Sequence, residues 1–270
     1  MAVDERTPSS LGERLYRTEA VVLGRLDYGE ADRILTVFTA RHGKMRVIAK
    51  GVRRPLSRLG PHLEYFTRVR LMLARGRELD TVTGAETVDP HVGLRVDLDA
   101  YGHASHLAEL VNRLTEDRQE QPAVFDLLAS SLRLLADGVD PFAVGRHFEL
   151  ALLSLVGFRP ELYHCVECEG ALTAEPNGFS ARFGGMLCPL CRRTDGAARL
   201  LSVNAQKYLR LLDRSGLAAV ARLTVDDGLR NELEGAMGGY LRHVAERDLA
   251  SLTVWHALRE DGVGEGGGRT

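Results

Sequence analysis

Four cysteines fall in two pairs, Cys165-Val166-Glu167-Cys168 and Cys188-Pro189-Leu190-Cys191, with 19 residues between them. Two thiolates three positions apart can take two corners of a tetrahedron around one Zn²⁺, and a returning hairpin supplies the other two. The segment between the pairs has hairpin chemistry, with Asn177-Gly178 and Gly184-Gly185 reading as turns around Phe179, Ala181 and Phe183. The spacing therefore predicts a zinc ribbon with one structural Zn²⁺ on Cys165, Cys168, Cys188 and Cys191. Four thiolates close the coordination sphere, which disfavours metal-driven hydrolysis. Two disulfides are the main rival, disfavoured in a reducing compartment, and a dithiol redox pair is the weaker one, since a single CxxC would serve it. His164 is expected to lie outside the ligand set, and Arg182, Arg192 and Arg193 give the ribbon positive charge.

The chain has 270 residues, above the usual single-domain size, so more than one domain is expected. No stretch approaches 18 uninterrupted apolar residues, which excludes a transmembrane helix. Asp4, Glu5, Arg6, Glu13, Arg14, Arg17 and Glu19 leave no apolar core for a secretory signal, and a cytoplasmic location is expected.

The formal net charge of −2 is a cancellation. Residues 1–85 hold 16 basic and 10 acidic side chains, and residues 86–270 hold 19 basic and 27 acidic. Between Asp32 and Glu64 no acidic residue occurs, while Arg33, Arg41, Lys44, Arg46, Lys50, Arg53, Arg54 and Arg58 do. A basic run is often only a solvated face. Eight cations against none exceeds what solubility asks, and it favours an anionic polymer as partner.

Period-two patterning marks strands at 14–24, 32–40, 44–50, 63–73 and 78–88. Asp27-Tyr28-Gly29-Glu30, His42-Gly43 and Arg75-Gly76-Arg77 read as turns, and Gly51–Pro61 as a basic loop. Five short strands suggest a small closed barrel. Beyond Pro90 the period becomes helical, with apolar stripes on Leu107/Leu110/Val111/Leu114, Leu127/Leu128/Leu134/Leu135 and Phe142/Phe148/Leu152/Leu155. Helical patterns resume at Ser202–Ser215 and Asp227–Val244. The expected class is α+β multidomain. It comprises an OB-fold β-barrel (1–88), a helical domain in two parts (89–163 and 200–259), an inserted four-cysteine zinc ribbon (164–199) and a disordered glycine-rich tail (260–270).

No phosphate-loop, zincin or hydrolase-elbow motif occurs. His103 and His106 lie three apart on a predicted helix without a third ligand at helical spacing, which favours a structural role. Asp27, Glu30 and Asp32 could form a magnesium site of a nuclease, but Arg25 and Arg33 beside them favour charge compensation. The chain reads as a binder and not an enzyme. A metal-dependent nuclease and a protein-only scaffold are the alternatives.

The run GEADRILTVFTARHGKMRVIAKGVRR (29–54), the helical body and the inserted CxxC…CxxC together resemble the RecO recombination-mediator family of bacterial DNA repair. The resemblance covers residues 14–256 and is most specific from Gly29 to Gly51. It implies binding of single- and double-stranded DNA, annealing of complementary strands, and help in loading recombinase onto DNA covered by single-strand-binding protein (SSB). Implied partners are RecR and the SSB C-terminal tail, and the implied location is cytoplasmic and nucleoid-associated. Carried onto this sequence, DNA contact falls on Arg41, Lys44, Arg46, Lys50, Arg53, Arg54 and Arg58, with Arg68 and Arg70 on the next strand. Barrel aromatics are few: Tyr16, Tyr28, Phe38, Tyr65 and Phe66, with Phe38 expected in the core. Phosphate-dominated binding with little base preference follows. Arg146 beside Phe148 is the candidate for the pocket that takes an acidic, Phe-ended tail.

Overall fold

Met45, Val47 and Ala49 are buried, while Arg46 and Lys50 between and beyond them are exposed, as alternation on a half-buried strand requires. In the computed structural model, which describes residues 15–220, 223 and 225–245, this run is strand β3 (Gly43–Ala49). It pairs antiparallel with β2 (Asp32–Thr39), and β2 pairs with β1 (Leu15–Tyr28). β1 also pairs with β4 (Arg68–Ala74), and β4 with β5 (Asp80–Asp89). A short parallel pairing of Val47 and Ile48 with Asp80 and Thr81 closes the barrel in the order β1-β2-β3-β5-β4. This is the expected OB-type barrel. Its interior is filled by alternate residues, among them Ala20, Val22, Leu35, Val37, Met45, Val47, Val69, Leu71 and Leu73.

Two strand boundaries differ from expectation. β1 runs on to Tyr28, because Asp27 and Tyr28 still pair with Arg33 and Asp32 and the Asp27–Arg33 ion pair (2.9 Å) ties directly opposite positions. The predicted turn at 27–30 therefore shifts to residues 29–31. The strand expected from residue 63 begins only at Arg68. Phe66 sits at φ 62 with its N–H donated to the Val22 carbonyl (2.9 Å), so the chain turns there before entering the sheet.

Residues 15–90 and Glu116–Phe125 form one compact unit; His91–Thr115 and the described residues from Asp126 onward form the other. Segment 116–125 belongs with the barrel because Gly43, at φ +59, offers no side chain where the Gln119 carbonyl passes: a Cβ there would lie 1.8 Å from it. The Arg118 N–H donates to the Lys44 carbonyl at 2.8 Å beside this approach.

The second unit contains α1 (Leu98–Leu114), most of α2 (Pro122–Ala136), α3 (Pro141–Leu155), α4 (Val203–Arg214), α5 (Leu217–Val220) and α6 (Asp227–Ala245). Their caps match the sequence signals: the Asp140 carboxylate accepts from Phe142 N–H (3.2 Å) and the Ser202 hydroxyl from Ala205 N–H (3.1 Å). Leu107, Leu110, Val111, Leu128, Leu135, Phe142, Phe148 and Leu152 are buried, as their stripes predict, and so are Leu233, Met237 and Leu241 of α6, whereas Leu155 at the end of its stripe is 47% exposed. The ribbon lies between α3 and α4 as a three-stranded sheet, β6 (Asn177–Ser180), β7 (Gly185–Leu187) and β8 (Arg199–Leu201), in the order β7-β6-β8. The glycine-rich tail falls outside the described residues.

The turn predicted at Asn177-Gly178 is instead the start of β6. The Asn177 amide is fully buried and donates to the carbonyls of Thr173 (3.1 Å) and Glu175 (2.9 Å) and to Gln206 Oε1 (3.0 Å). At Gly178 a Cβ would meet the Arg192 stem at 2.6 Å, so glycine serves close packing there.

Candidate nucleic-acid interface and metal centre

The barrel sorts its cations into paired and unpaired sets. Arg68 is bonded to Glu19 and Arg70 to Glu86 (2.9 Å), and both arginines share the outer face of β4, as their spacing predicts. Lys44 is tied to Asp117 (3.2 Å). Arg33 (2.9 Å) and Arg53 (3.4 Å) both reach Asp27. By contrast, Arg41, Arg46, Lys50, Arg54 and Arg58 are exposed and form no ion pair among the described residues. Arg41 lies in the β2-β3 turn and Arg46 on the outer face of β3. Lys50, Arg54 and Arg58 lie on the loop that follows β3.

Two of the acidic trio, Asp27 and Asp32, anchor that loop. Asp32 Oδ1 accepts the Gly51 N–H (2.7 Å), Arg53 N–H donates to the Ala31 carbonyl (2.9 Å), and Asp27 holds two guanidiniums. The hydrogen bond from Arg33 holds the Asp27 carboxyl below the usual carboxylate range. Glu30 is exposed in the turn, and the three carboxylates do not converge on a common point. Among the described residues, the four cysteines are the one group that brings three or more ligand atoms together.

At the β4-β5 loop, Arg75 and Arg77 add exposed charge that the sequence reading used only as a turn signal. Arg75 lies over the Tyr16 ring (4.9 Å), His42 meets that ring edge-on (5.0 Å), and the Tyr16 hydroxyl donates to Asp80 (2.5 Å). Burial, followed by the Asp80 hydrogen bond, raises the Tyr16 pKa; burial and then Arg75 lower that of His42. Of the other barrel aromatics, Phe66 is buried and Tyr65 is covered by Arg25 (4.3 Å). Phe38 is buried, yet on the outer face of β2 and not in the barrel interior. Tyr28 is 54% exposed.

In the ribbon the four Sγ atoms lie within 4.8 Å of one another, with Cys168 and Cys188 at 4.0 Å. A zinc–sulfur bond of about 2.3 Å places tetrahedral sulfurs about 3.8 Å apart, so the donor set fits a single tetrahedral ion. Cys165 is buried, Cys168 exposed, and Cys188 and Cys191 in between. Burial opposes the Cys165 thiolate, but N–H donors of Cys168, Cys188 and Glu167 prevail and bring its pKa to about 6. The Cys188 thiol beside Cys191 helps push that group to about 12. Four clustered sulfurs can all carry charge only around a cation.

In the helical unit, His106 Nε2 lies 2.8 Å from Glu149 Oε1, which also accepts from Arg146 (2.5 Å); Arg146 and Glu149 are almost wholly buried. Arg146 therefore cannot offer its charge to a peptide tail, and that expectation is corrected: an i,i+3 pair inside α3 consumes it. A groove of about 360 Å³ lies elsewhere in this unit, walled by Leu127, Leu150, Leu155 and Leu212. Arg159, bonded to Asp213 (2.6 Å), also lines it. No helix of the described residues is long and apolar enough to cross a membrane.

Comparison with known proteins agrees with this architecture. The family model "Recombination protein O N terminal" matches residues 14–91, and "Recombination protein O C terminal" matches residues 95–253. The chain is 42% identical over 248 residues to a DNA repair protein RecO of Roseiflexus sp. (strain RS-1), covering 92% of this chain and 87% of the relative. It is 44% identical over 246 residues to that of Nocardioides sp. (strain ATCC BAA-499 / JS614), covering 88% and 98%. With that of Pelotomaculum thermopropionicum it shares 39% identity over 255 residues, covering 94% and 98%.

Proposed function

The chain belongs to the RecO family of DNA repair proteins, and we propose from this that it is a non-enzymatic recombination mediator. It binds single- and double-stranded DNA through its barrel, anneals complementary strands, and assists recombinase loading onto SSB-coated DNA. The observation that carries the proposal is the unpaired cationic track of Arg41, Arg46, Lys50, Arg54 and Arg58, on β3 and its flanking segments. The strand 2–3 face, with the β1-β2 and β4-β5 loops, is where OB barrels meet oligonucleotides, and Arg46 lies on that face. Arg75 on the β4-β5 loop shares the Tyr16 ring with His42 of the β2-β3 turn, next in sequence to Arg41, and adds a cation there. Each guanidinium can make two parallel bonds to a phosphate, and phosphate contact carries no sequence information. Annealing then needs no bond chemistry: the bound cations screen the repulsion between two strands.

The ribbon cysteines Cys165, Cys168, Cys188 and Cys191 would hold one Zn²⁺, which supplies a structural crosslink and no open coordination site. RecR and the SSB tail are the protein partners the family implies. The groove at Leu150, Leu155 and Leu212 has the apolar chemistry that the Phe end of such a tail requires, while Arg159 on its wall is already held by Asp213.

The test is charge reversal of Lys50, Arg54 and Arg58 to Glu in the full chain. A large, salt-dependent loss of DNA affinity and of annealing is expected. Unchanged affinity would favour the protein-only scaffold, and Mg²⁺-dependent cleavage abolished by Asp32→Ala would favour a nuclease.

A further inference from the structure

Directly opposed residues in an antiparallel pair project from the same face of a sheet. The register places Leu26 opposite Ile34 and Ile34 opposite Ile48, so one apolar row crosses β1, β2 and β3. Leu35 and Val47, their sequence neighbours, fill the barrel interior, so this row lies on the outer face. One step toward the basic loop, Tyr28 opposes Asp32, with Lys50 just past the end of β3. One step the other way, Gly24 opposes Thr36, and Thr36 opposes Arg46. Arg46 and Lys50 thus bracket the row, about 13 Å apart along the strand. Leu26 is 59% exposed and Tyr28 54%, while Ile34, opposite Leu26 in the row, is 8% exposed.

An exposed leucine and an exposed tyrosine two positions apart on β1, beside a buried isoleucine on β2 and in line with Ile48 between two unpaired cations on and just past β3, lie outside the barrel's interior cluster. We propose that this band, Leu26, Tyr28 and Ile48, is a floor for unstacked bases of single-stranded nucleic acid whose phosphates lie on Arg46 and Lys50. The proposal rests on the DNA-binding function above and adds selectivity to it. Every base has an apolar face that an aromatic ring or an aliphatic side chain can cover, so the contact tolerates any sequence. A duplex keeps those faces stacked inside and can offer only phosphates. The band therefore discriminates single from double strands, where phosphate contact alone would not.

The test measures full-chain affinity by fluorescence anisotropy for three labelled probes at one salt concentration. They are an oligothymidine, a strand of the same length with abasic sugars, and a duplex. The protein is expected to prefer the base-bearing strand over the abasic one. Tyr28→Ala should cost about 5- to 150-fold on that strand alone, the range that one stacked base is worth. Leu26→Ala should act in the same direction, and Tyr28→Phe should retain the preference. Equal binding of base-bearing and abasic strands overturns the band, as does a loss in Tyr28→Ala spread evenly over all three probes. Failure to bind any of the probes overturns the DNA-binding function itself, and the band with it.

Discussion

The pairing pattern of the barrel cations yields a contrast that bulk charge would not. Lys50, Arg54 and Arg58 are exposed without ion pairs among the described residues, whereas Arg68 and Arg70 are bonded to Glu19 and Glu86. Neutralising the first three to Gln should remove three phosphate contacts. Each contact contributes about 0.7 to the log–log salt slope on single strands and about 0.9 on duplex, so the slope should flatten by about 2 and about 2.7. At 0.1 M salt each single-strand contact is worth about fivefold relative to 1 M, so the triple variant should lose about 100-fold, or about 2.8 kcal/mol. Arg68→Gln with Arg70→Gln removes two cations, against three in the first variant, from carboxylates that already neutralise them, and the slope should move by less than about 0.5 rather than the roughly 1.4 that two free contacts would give. The assay is an anisotropy titration of labelled single strand from 0.05 to 0.5 M salt (about a decade). Equal flattening by both variants would refute the division, because it would mean that a cation's ion-pair partner does not govern its availability to phosphate.

Elemental analysis should find one zinc per chain, and Cys165→Ser or strong chelation should unfold the ribbon, since structural zinc supplies on the order of 10 kcal/mol in such modules; a metal-free protein with two intact disulfides would contradict this. Asp27→Asn should weaken DNA binding although it makes the barrel more positive, because it releases Arg33 and Arg53 from their anchor; a gain in affinity would show that Asp27 acts only as an opposing charge. Acidification should act in the same direction: the depressed Asp27 pKa keeps the anchor in place above the ordinary carboxylate range and loses it as the pH falls through the lowered value. Glu149→Leu leaves the Arg146 charge buried without its carboxylate and should cost about 3–5 kcal/mol of stability, read as a lowered denaturation midpoint.

What the sequence made legible was local. The alternation of Met45, Val47 and Ala49 identifies the inner face of β3 because burial on a strand repeats every second residue. The cysteine spacing identifies the donor set because one ion fixes all four sulfurs. What it hid depends on contacts distant in the chain. Phe66 turns in the left-handed region to meet the backbone of Val22, and no pattern in residues 63–67 records that. Segment 116–125 packs with the barrel because Gly43, more than 70 positions earlier, leaves room for the Gln119 carbonyl. Asn177-Gly178 has turn chemistry in isolation, yet the buried amide finds its acceptors at Thr173, Glu175 and Gln206 and the glycine makes room for Arg192. Arg146 reads as a surface cation until Glu149 and His106 are seen to enclose it.

The same distinction governs the charge on the barrel. The surplus of cations in residues 1–85 belongs to no single surface, because carboxylates of the same barrel hold Arg33, Arg53, Arg68 and Arg70. Those acids take two different roles. Glu19 and Glu86 quiet one outer face, whereas Asp27 and Asp32 fasten the start of the loop whose Arg54 and Arg58 stay unpaired. Removing acids from the barrel would therefore raise its net charge without making it a uniformly better DNA binder. Loss of Glu86 would free one cation, while loss of Asp27 or Asp32 would free a loop. A loop that must be ordered anew at each encounter pays conformational entropy that a fastened loop has already lost on folding, so its added charge is offset by a larger ordering cost.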